Sequence, residues 1–339
     1  MSGGSWFDKL TMSGGQGLRG RCSEAMADAI LGVMKGITVH RPSYLDLSSQ
    51  ELRRRGEQAW ELMASPCRVC PRHCKVDRRQ DDKRGFCRAG VRALVSSFSS
   101  HFGEEPPLVG VGGSGTIFLA SCNLACVFCQ NWEISQARWG RELTDEQLAG
   151  AMLRLQALGC HNINFVSPTI YVPQILAALP YAVAGGLRLP LVYNTGGYDS
   201  LEALRLLDGI FDIYMPDIKY ADEAFARKYS LVKDYYPVAQ AALKEMHRQV
   251  GDLVTEDGVA VRGLIIRHLV LPQGLAGTAE VMRFIAEELS VHSYVNVMAQ
   301  YRPENKAYNY PELSRRLTVD EYQEAVELAR AQGLYRFAR

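Results

Sequence analysis

Thr116-Ile117-Phe118-Leu119-Ala120-Ser121-Cys122-Asn123-Leu124-Ala125-Cys126-Val127-Phe128-Cys129 runs from a short apolar segment straight into three cysteines in CxxxCxxC spacing. The first five residues read as a strand, because β-branched and aromatic side chains suit a pleated, half-buried surface. The cysteines then occupy the loop that leaves it. A cubane [4Fe–4S] cluster usually takes four thiolates, so three from one loop leave one iron open to a ligand that is not protein. Structural zinc closes on four protein ligands, and this loop offers three with no histidine in the run.

Downstream, strand and helix signals alternate. Strand-like runs fall at Thr116–Ala120, Asn162–Val166, Leu189–Asn194, Phe211–Met215, Leu264–Leu271 and Val295–Ala299. Helices between them have start signals at Thr144 with Gln147, Asp199 with Glu202 and Thr318 with Glu321, and Gly159 ends the first. Repeated β-then-α units imply a parallel sheet with right-handed crossovers. Periodicity alone fits both a curved, partial (β/α)6 barrel and an open doubly wound sheet. In either, the cysteine loop leaves the C-terminal end of its strand, where active sites of parallel α/β folds gather.

Upstream, helical patterns cover Ser23–Met34 and Ser49–Met63, the second with Leu52, Ala59, Trp60 and Met63 on one face and Ser49 as its cap. Then come Cys67-x2-Cys70-Pro71-Arg72-His73-Cys74-x12-Cys87 and a charged loop from Arg78 to Arg84. Four thiols in one short stretch can close a tetrahedral site and suit structural zinc, a rubredoxin-like iron or a second Fe–S cluster. The chain thus divides into an N-terminal helical, Cys-rich metal-binding region, residues 1–106, and an α/β barrel region, residues 107–339. Seven of the nine cysteines lie in the two clusters, a pattern of metal ligation in a reducing compartment rather than of disulfides. Cys22 and Cys160 stand apart.

With 339 residues, 47% of them apolar, the chain can build a barrel-sized core and an accessory part. Its formal charge of +1 gives no global reason to expect nucleic acid or an anionic membrane as partner. No signal-like segment follows Met1-Ser2-Gly3-Gly4-Ser5-Trp6, and no apolar run reaches the ~18 residues of a membrane helix, so a cytoplasmic location is expected. Gly110-Val111-Gly112-Gly113-Ser114-Gly115 fits GxGxxG, but that fingerprint needs a strand before it and a helix after it; here a strand follows, and a turn is expected.

CxxxCxxC with Phe128 before its last cysteine resembles the signature of the radical S-adenosylmethionine (SAM) enzymes. The resemblance implies the partial (β/α)6 barrel, with Cys122, Cys126 and Cys129 holding a [4Fe–4S] cluster whose fourth iron is chelated by SAM. It also implies reductive cleavage of SAM to a 5′-deoxyadenosyl radical, with flavodoxin or ferredoxin as electron donor. Phe128 would pack against the cluster or the adenine.

Further motifs resemble one branch, the glycyl-radical-enzyme activating enzymes. Met215-Pro216-Asp217-Ile218-Lys219 is similar to their Asp-x-Lys element, which implies that Asp217 and Lys219 line the SAM pocket. Thr195 and Met215 match residues that hold a monovalent cation there, while Asn194 stands where the family has Asp; an amide oxygen can still ligate a cation, less firmly. Val166-Ser167-Pro168-Thr169 replaces the family's Gly-Gly-Glu, leaving Ser167 as an oxygen donor without the carboxylate. Arg267, His268, Gln300 and Tyr301 fall where the family positions SAM contacts, Arg267 suiting a carboxylate or ribose and His268 equally a satisfied core histidine. CxxCPRxC together with Gly115–Phe118 and Gln130–Glu133 looks like uncharacterised relatives of that branch, over residues 65–335. The implied substrate is a protein or peptide, a glycine Cα if the likeness extends so far. A small-molecule substrate and a non-catalytic Fe–S carrier are the alternatives.

Overall fold

The structure, a computed structural model, describes residues 40–338. The helix expected over Ser23–Met34, and Cys22, lie outside the described residues. In chain order the strands are β1 (Ala93–His101), β2 (Ser114–Leu119), β3 (Arg141–Leu143), β4 (Ile163–Val166), β5 (Leu191–Thr195), β6 (Ile213–Pro216), β7 (Val254–Glu256), β8 (Val259–Leu269), β9 (Tyr294–Met298) and β10 (Arg336–Phe337). The six apolar runs became β2, β4, β5, β6, β8 and β9, which pair in parallel in that order. Gly115 sits opposite Ile163, and Ile163 opposite Leu191, so the strands run nearly in step.

Four strands were not anticipated. β1 lies antiparallel on β2 and β3 antiparallel on β1, while β10 adds in parallel to β9. The sheet therefore runs from β10 to β3, and these edges do not pair: it is open, a partial barrel. β8 begins earlier than expected because its first residues form a hairpin with β7 around Asp257-Gly258, both with positive φ. That dipeptide is a strong two-residue turn signal, and the sequence carried it in plain view.

The helix Asp145–Ala157 starts with a reciprocal cap between Thr144 and Gln147, and Val319–Ala331 with one between Thr318 and Glu321. Gly159, at φ 82°, turns the chain out of the first. The helix Ser49–Glu61 is capped by Ser48, one residue before the expected Ser49. It packs closely on the helix Val172–Ala184: a Cβ at Gly56 would lie 3.5 Å from the Leu176 carbonyl oxygen. Residues 41–106 belong to the same compact unit as the strands and helices after them.

Alternation along the strands sorts the core, because successive side chains point to opposite faces. Tyr193 and Tyr214 turn outward with Phe165 and Phe211 into the large core shared with the helices, Tyr193 meeting Phe211 edge-on at 5.2 Å. Each such fully buried aromatic contributes roughly 1.5–3 kcal/mol through area alone. Val192, Ile213, Met215 and Ile265 turn inward and pack with Leu108. This apolar plug closes the lower interior. One step further along the same inward-facing rows come Asn194, Asp217 and Arg267.

Candidate functional site

The loop leaving β2 is tied down at each cysteine. Ser121 takes positive φ, and its N–H donates to Ile134 O at 3.0 Å, which turns the chain off the strand. Val127 N–H donates to Tyr229 O at 2.8 Å, Lys306 N–H to Val127 O at 2.8 Å and Cys129 N–H to Cys126 O at 3.1 Å. Phe128 is buried, its ring edge-on to Tyr220 at 6.3 Å and Tyr301 at 5.9 Å. The cysteine positions are thus set both by the turn itself and by distant residues, Tyr220, Tyr229, Tyr301 and Lys306.

Cys122, Cys126 and Cys129 are free thiols lining one cavity of about 220 Å³. Ser230 Oγ donates to Cys126 Sγ at 3.0 Å, Leu124 N–H to Cys122 Sγ at 3.4 Å, and Ser135 Oγ lies 3.2 Å from Cys129 Sγ. Burial pushes the Cys122 thiol up to about 12. It raises Cys126 as well, offset in part by Lys219. Neutral thiols are therefore favoured until a cationic centre arrives, and a coordinated metal deprotonates a thiol outright. Three soft donors converge on a cavity whose other lining side chains include no histidine and no further cysteine. That donor set fits a cluster bound through three thiolates with one iron left open.

The same cavity is lined by Phe128, Ser167, Asn194, Thr195, Asp217, Lys219 and Arg267, residues singled out from sequence across five strand ends. Asp217 is their hub. Arg267 Nε donates to Asp217 Oδ1 at 2.8 Å, and Lys219 Nζ pairs with Asp217 Oδ2. Burial works to raise the Asp217 carboxyl, but the two cations prevail and hold it below the usual range. Burial works to lower Lys219, yet Asp217 and Cys126 hold it above its usual value. Arg267 also donates from Nη2 to Asn194 Oδ1 at 2.7 Å. The amide oxygen considered for a monovalent cation is thereby engaged by a guanidinium. Met215 packs in the apolar plug beneath.

Three expectations changed. Asp199 does not cap a helix: Ser200 precedes the helix Leu201–Arg205, and Asp199 is buried, accepting from Thr195 Oγ1 at 2.6 Å, Thr169 Oγ1 at 2.7 Å and Tyr193 Oη at 2.9 Å. Three hydroxyls outcompete a helix N-terminus. Arg78, expected in a charged loop, is only 2% exposed because its guanidinium donates to Ile170 O and Gly90 O. Gln300 is exposed and lies outside the cavity lining, its carbonyl accepting from Gln130 Nε2 at 3.0 Å.

His268 is a fully buried core residue whose ring nitrogens meet Ile218 O at 2.8 Å and Thr278 Oγ1 at 3.0 Å. Tyr301 donates to Leu313 O and supports Phe128. Glycines 110–115 lead into β2 rather than a helix, as read, with Val111 and Gly112 N–H donating to His161 Nε2. Glu105 was missed. It is buried, accepts from Asn296 Nδ2 at 2.6 Å and stands 3.9 Å from Arg267, a placement no local pattern reveals.

A family model described as the radical SAM superfamily matches residues 116–263. The uncharacterized protein MJ0674 of Methanocaldococcus jannaschii is 35% identical over 277 residues, 79% of this chain and 75% of that protein. The uncharacterized protein MJ0808 of the same organism is 23% identical over 282 residues, 75% of this chain and 78% of its own length. Among solved structures, one of TYW1 with a lysine-pyruvate adduct bound aligns over 64% of this chain and 73% of its own, with a TM-score of 0.37 and 12% identity. Among the described residues no helix is long and apolar enough to cross a membrane. The matched segment contains all three cysteines of the loop and the Asp217–Lys219 element, and this chain belongs to the radical SAM superfamily.

Proposed function

We propose that this protein cleaves SAM reductively and uses the resulting radical to take hydrogen from a carbon of a protein or peptide, as glycyl-radical-enzyme activating enzymes do. The observation that carries the reading is the single cavity shared by Cys122, Cys126 and Cys129 with Asn194, Asp217, Lys219 and Arg267. A carrier of electrons needs the thiols but not the charged strand ends. When bound, a [4Fe–4S] cluster and SAM supply one-electron scission of a C–S bond to give a 5′-deoxyadenosyl radical.

The chain's own residues do the holding. Cys122, Cys126 and Cys129 anchor the cluster, and Ser230 steadies the Cys126 sulfur. Arg267 and Lys219 offer fixed positive charge to a carboxylate, and Ser167, Asn194 and Asp217 offer oxygen to an amine or to ribose hydroxyls. Asp217 keeps both cations in place before the ligand enters. Phe128 and the Val192, Ile213, Met215 and Ile265 plug keep water from below, which protects a carbon radical from quenching. Flavodoxin or ferredoxin is the electron donor in this reading.

Anaerobically reconstituted, dithionite-reduced protein should convert SAM to 5′-deoxyadenosine and methionine, and Cys126→Ala should not. No 5′-deoxyadenosine from fully loaded wild type would leave the Fe–S carrier as the better account. Deuterium carried from a labelled partner protein into 5′-deoxyadenosine separates a protein substrate from a small molecule.

A further inference from the structure

Outside the site already described, the second cysteine set carries an argument of its own. Cys67, Cys70, Cys74 and Cys87, all free thiols, line one small cavity together with Arg72 and Arg78. Its room sets the size of an occupant: about 10 Å³, against about 220 Å³ at the three-cysteine loop. That is close to the space one water molecule needs. A single ion fits there, and a cubane of iron and sulfide does not.

Backbone donors converge on the sulfurs. Val69 N–H donates to Cys67, Arg72 N–H to Cys70 and Phe86 N–H to Cys74 Sγ, the last at 3.4 Å. In the first two the donor lies two residues beyond the cysteine, so each short turn wraps its own sulfur. Hydrogen bonds given to a sulfur favour its charged, thiolate form. Cys67 N–H donates in turn to Cys74 O at 2.8 Å, which ties the ends of this segment together. A Cβ at Gly85 would lie 3.2 Å from Val76 Cγ2 and 3.5 Å from Cys74 Cβ, so the chain that brings Cys87 back packs directly on it.

Two arginines supply the counter-charge. Arg78, 2% exposed, donates from both Nη atoms to carbonyls, while its Nε is buried with no hydrogen-bond partner. Arg72 donates from Nε to Asn123 O at 2.8 Å and from Nη1 to Leu231 O at 2.7 Å, and stacks on Phe86 at 3.4 Å, yet its Nη2 is likewise buried and unpartnered. Arg78 lies where its charge acts on Cys67, and Arg72 where its charge meets Cys70 and Cys74 on one side and Cys122 on the other. Buried cations without a counter-charge are costly, and neutral thiols do not balance them. Four thiolates on a divalent ion carry two net negative charges, which two guanidiniums cancel. Zinc keeps that charge under all conditions, whereas an iron that changes oxidation state would leave it unmatched in one of its states.

We propose that Cys67, Cys70, Cys74 and Cys87 bind a single zinc ion as four thiolates, charge-balanced by Arg72 and Arg78, and that this centre steadies the CxxxCxxC loop through Arg72. Binding sends four thiol protons to solvent and changes no oxidation state. Among the described residues no three Cys, His, Asp or Glu side chains already stand as around an ion, at this set or at the three-cysteine loop. Loading therefore draws the sulfurs in to about 2.3 Å from the metal, by rotation about their Cα–Cβ bonds. Arg72 reaches Asn123 O, next to Cys122, and Leu231 O, next to the Ser230 that donates to Cys126 Sγ. One side chain thus holds both flanks of the loop. The inference goes beyond the SAM reading and does not depend on it.

The test is metal analysis of the full chain carrying Cys122/Cys126/Cys129→Ala, so that only the second set can bind. Given zinc(II) alone it should hold about one zinc per chain, and given zinc(II) with iron(II) and sulfide it should still hold zinc. Cobalt(II) in place of zinc should show the intense visible bands of a tetrahedral thiolate site. No zinc, iron in its place with or without sulfide, or a weak octahedral cobalt spectrum would overturn the proposal. Cys74/Cys87→Ser, at the two half-buried positions, should lose the ion. Arg72→Gln, checked for folding by circular dichroism, should bind zinc at least about tenfold more weakly in competition with a chromophoric chelator. Unchanged affinity would overturn the charge balance. In the otherwise wild-type chain, stripping zinc should speed hydrogen exchange in peptides spanning the CxxxCxxC loop, and unchanged exchange would overturn the link through Arg72.

Discussion

Arg267 Nε–H donates to Asp217 Oδ1 at 2.8 Å, joining the end of β6 to β8 within the cavity that the three loop cysteines line. Both side chains are largely buried, at 16% and 13% exposed, and Lys219 completes the charge set. Asp217→Asn leaves two cations facing one amide. Breaking a buried pair costs about 3–5 kcal/mol, so chemical denaturation should register a loss of that order, together with weaker SAM binding. Unchanged stability and SAM affinity would mean that Lys219 and Arg267 find other partners.

Ser230 reaches Cys126 Sγ from the far end of the helix Glu223–Ser230. Hydrogen bonds to cluster sulfurs stabilise the reduced, more negative state and raise the potential. Ser230→Ala should keep about four irons on the loop cysteines yet lower the midpoint of that cluster, read by potentiometric titration. An unshifted midpoint would show that the hydroxyl serves Tyr220, its other partner at 2.8 Å.

His268 supplies a pH dependence. Burial holds its folded-state pKa down to about 4, against 6.5 for the free imidazole. As pH falls, the unfolded chain takes up the proton first, so the contribution is complete above pH 6.5 and is lost between there and about 4. The full swing is on the order of 3 kcal/mol. Urea unfolding near pH 5 should give a markedly lower midpoint than near pH 7.5, and His268→Asn should flatten that difference. Parallel slopes in the two proteins would assign the acid sensitivity to other groups.

Asn194 Oδ1 accepts from Arg267, so a guanidinium already stands against the oxygen that a monovalent cation would use. Exchanging potassium for a bulky organic cation should alter 5′-deoxyadenosine formation by less than about twofold. Strong potassium dependence would mean that Arg267 swings away when SAM binds.

Phe128 rests edge-on against Tyr220 and Tyr301. Phe128→Leu removes two aromatic pairs worth about 0.5–1.5 kcal/mol each beyond their area. Thermal unfolding should fall accordingly, with the cluster signal broadened as the loop loosens. A leucine protein as stable as wild type would make the aromatic residue one for the cofactor rather than for packing.

The sequence alone determined the cysteine loop and the six parallel strands, since each rests on short-range order: a close spacing of cysteines or an apolar run. Asp217, Arg267 and Asn194 were nominated by motifs that resemble those of the activating enzymes, and alternation carries these inward-facing positions to the strand mouth. Only the tertiary structure decided whom they touch. Asp199 gave up its reading as a cap to three hydroxyls, two of them on β5 and one on Thr169, and Arg78 of the charged loop turned inward to carbonyls at Ile170 and Gly90. Glu105 meets Asn296 across 191 residues of chain. Charges and hydrogen-bonding groups choose partners by distance in space, and no pattern along the chain encodes a pairing between strands whose register is fixed only once the whole sheet has curved around its core.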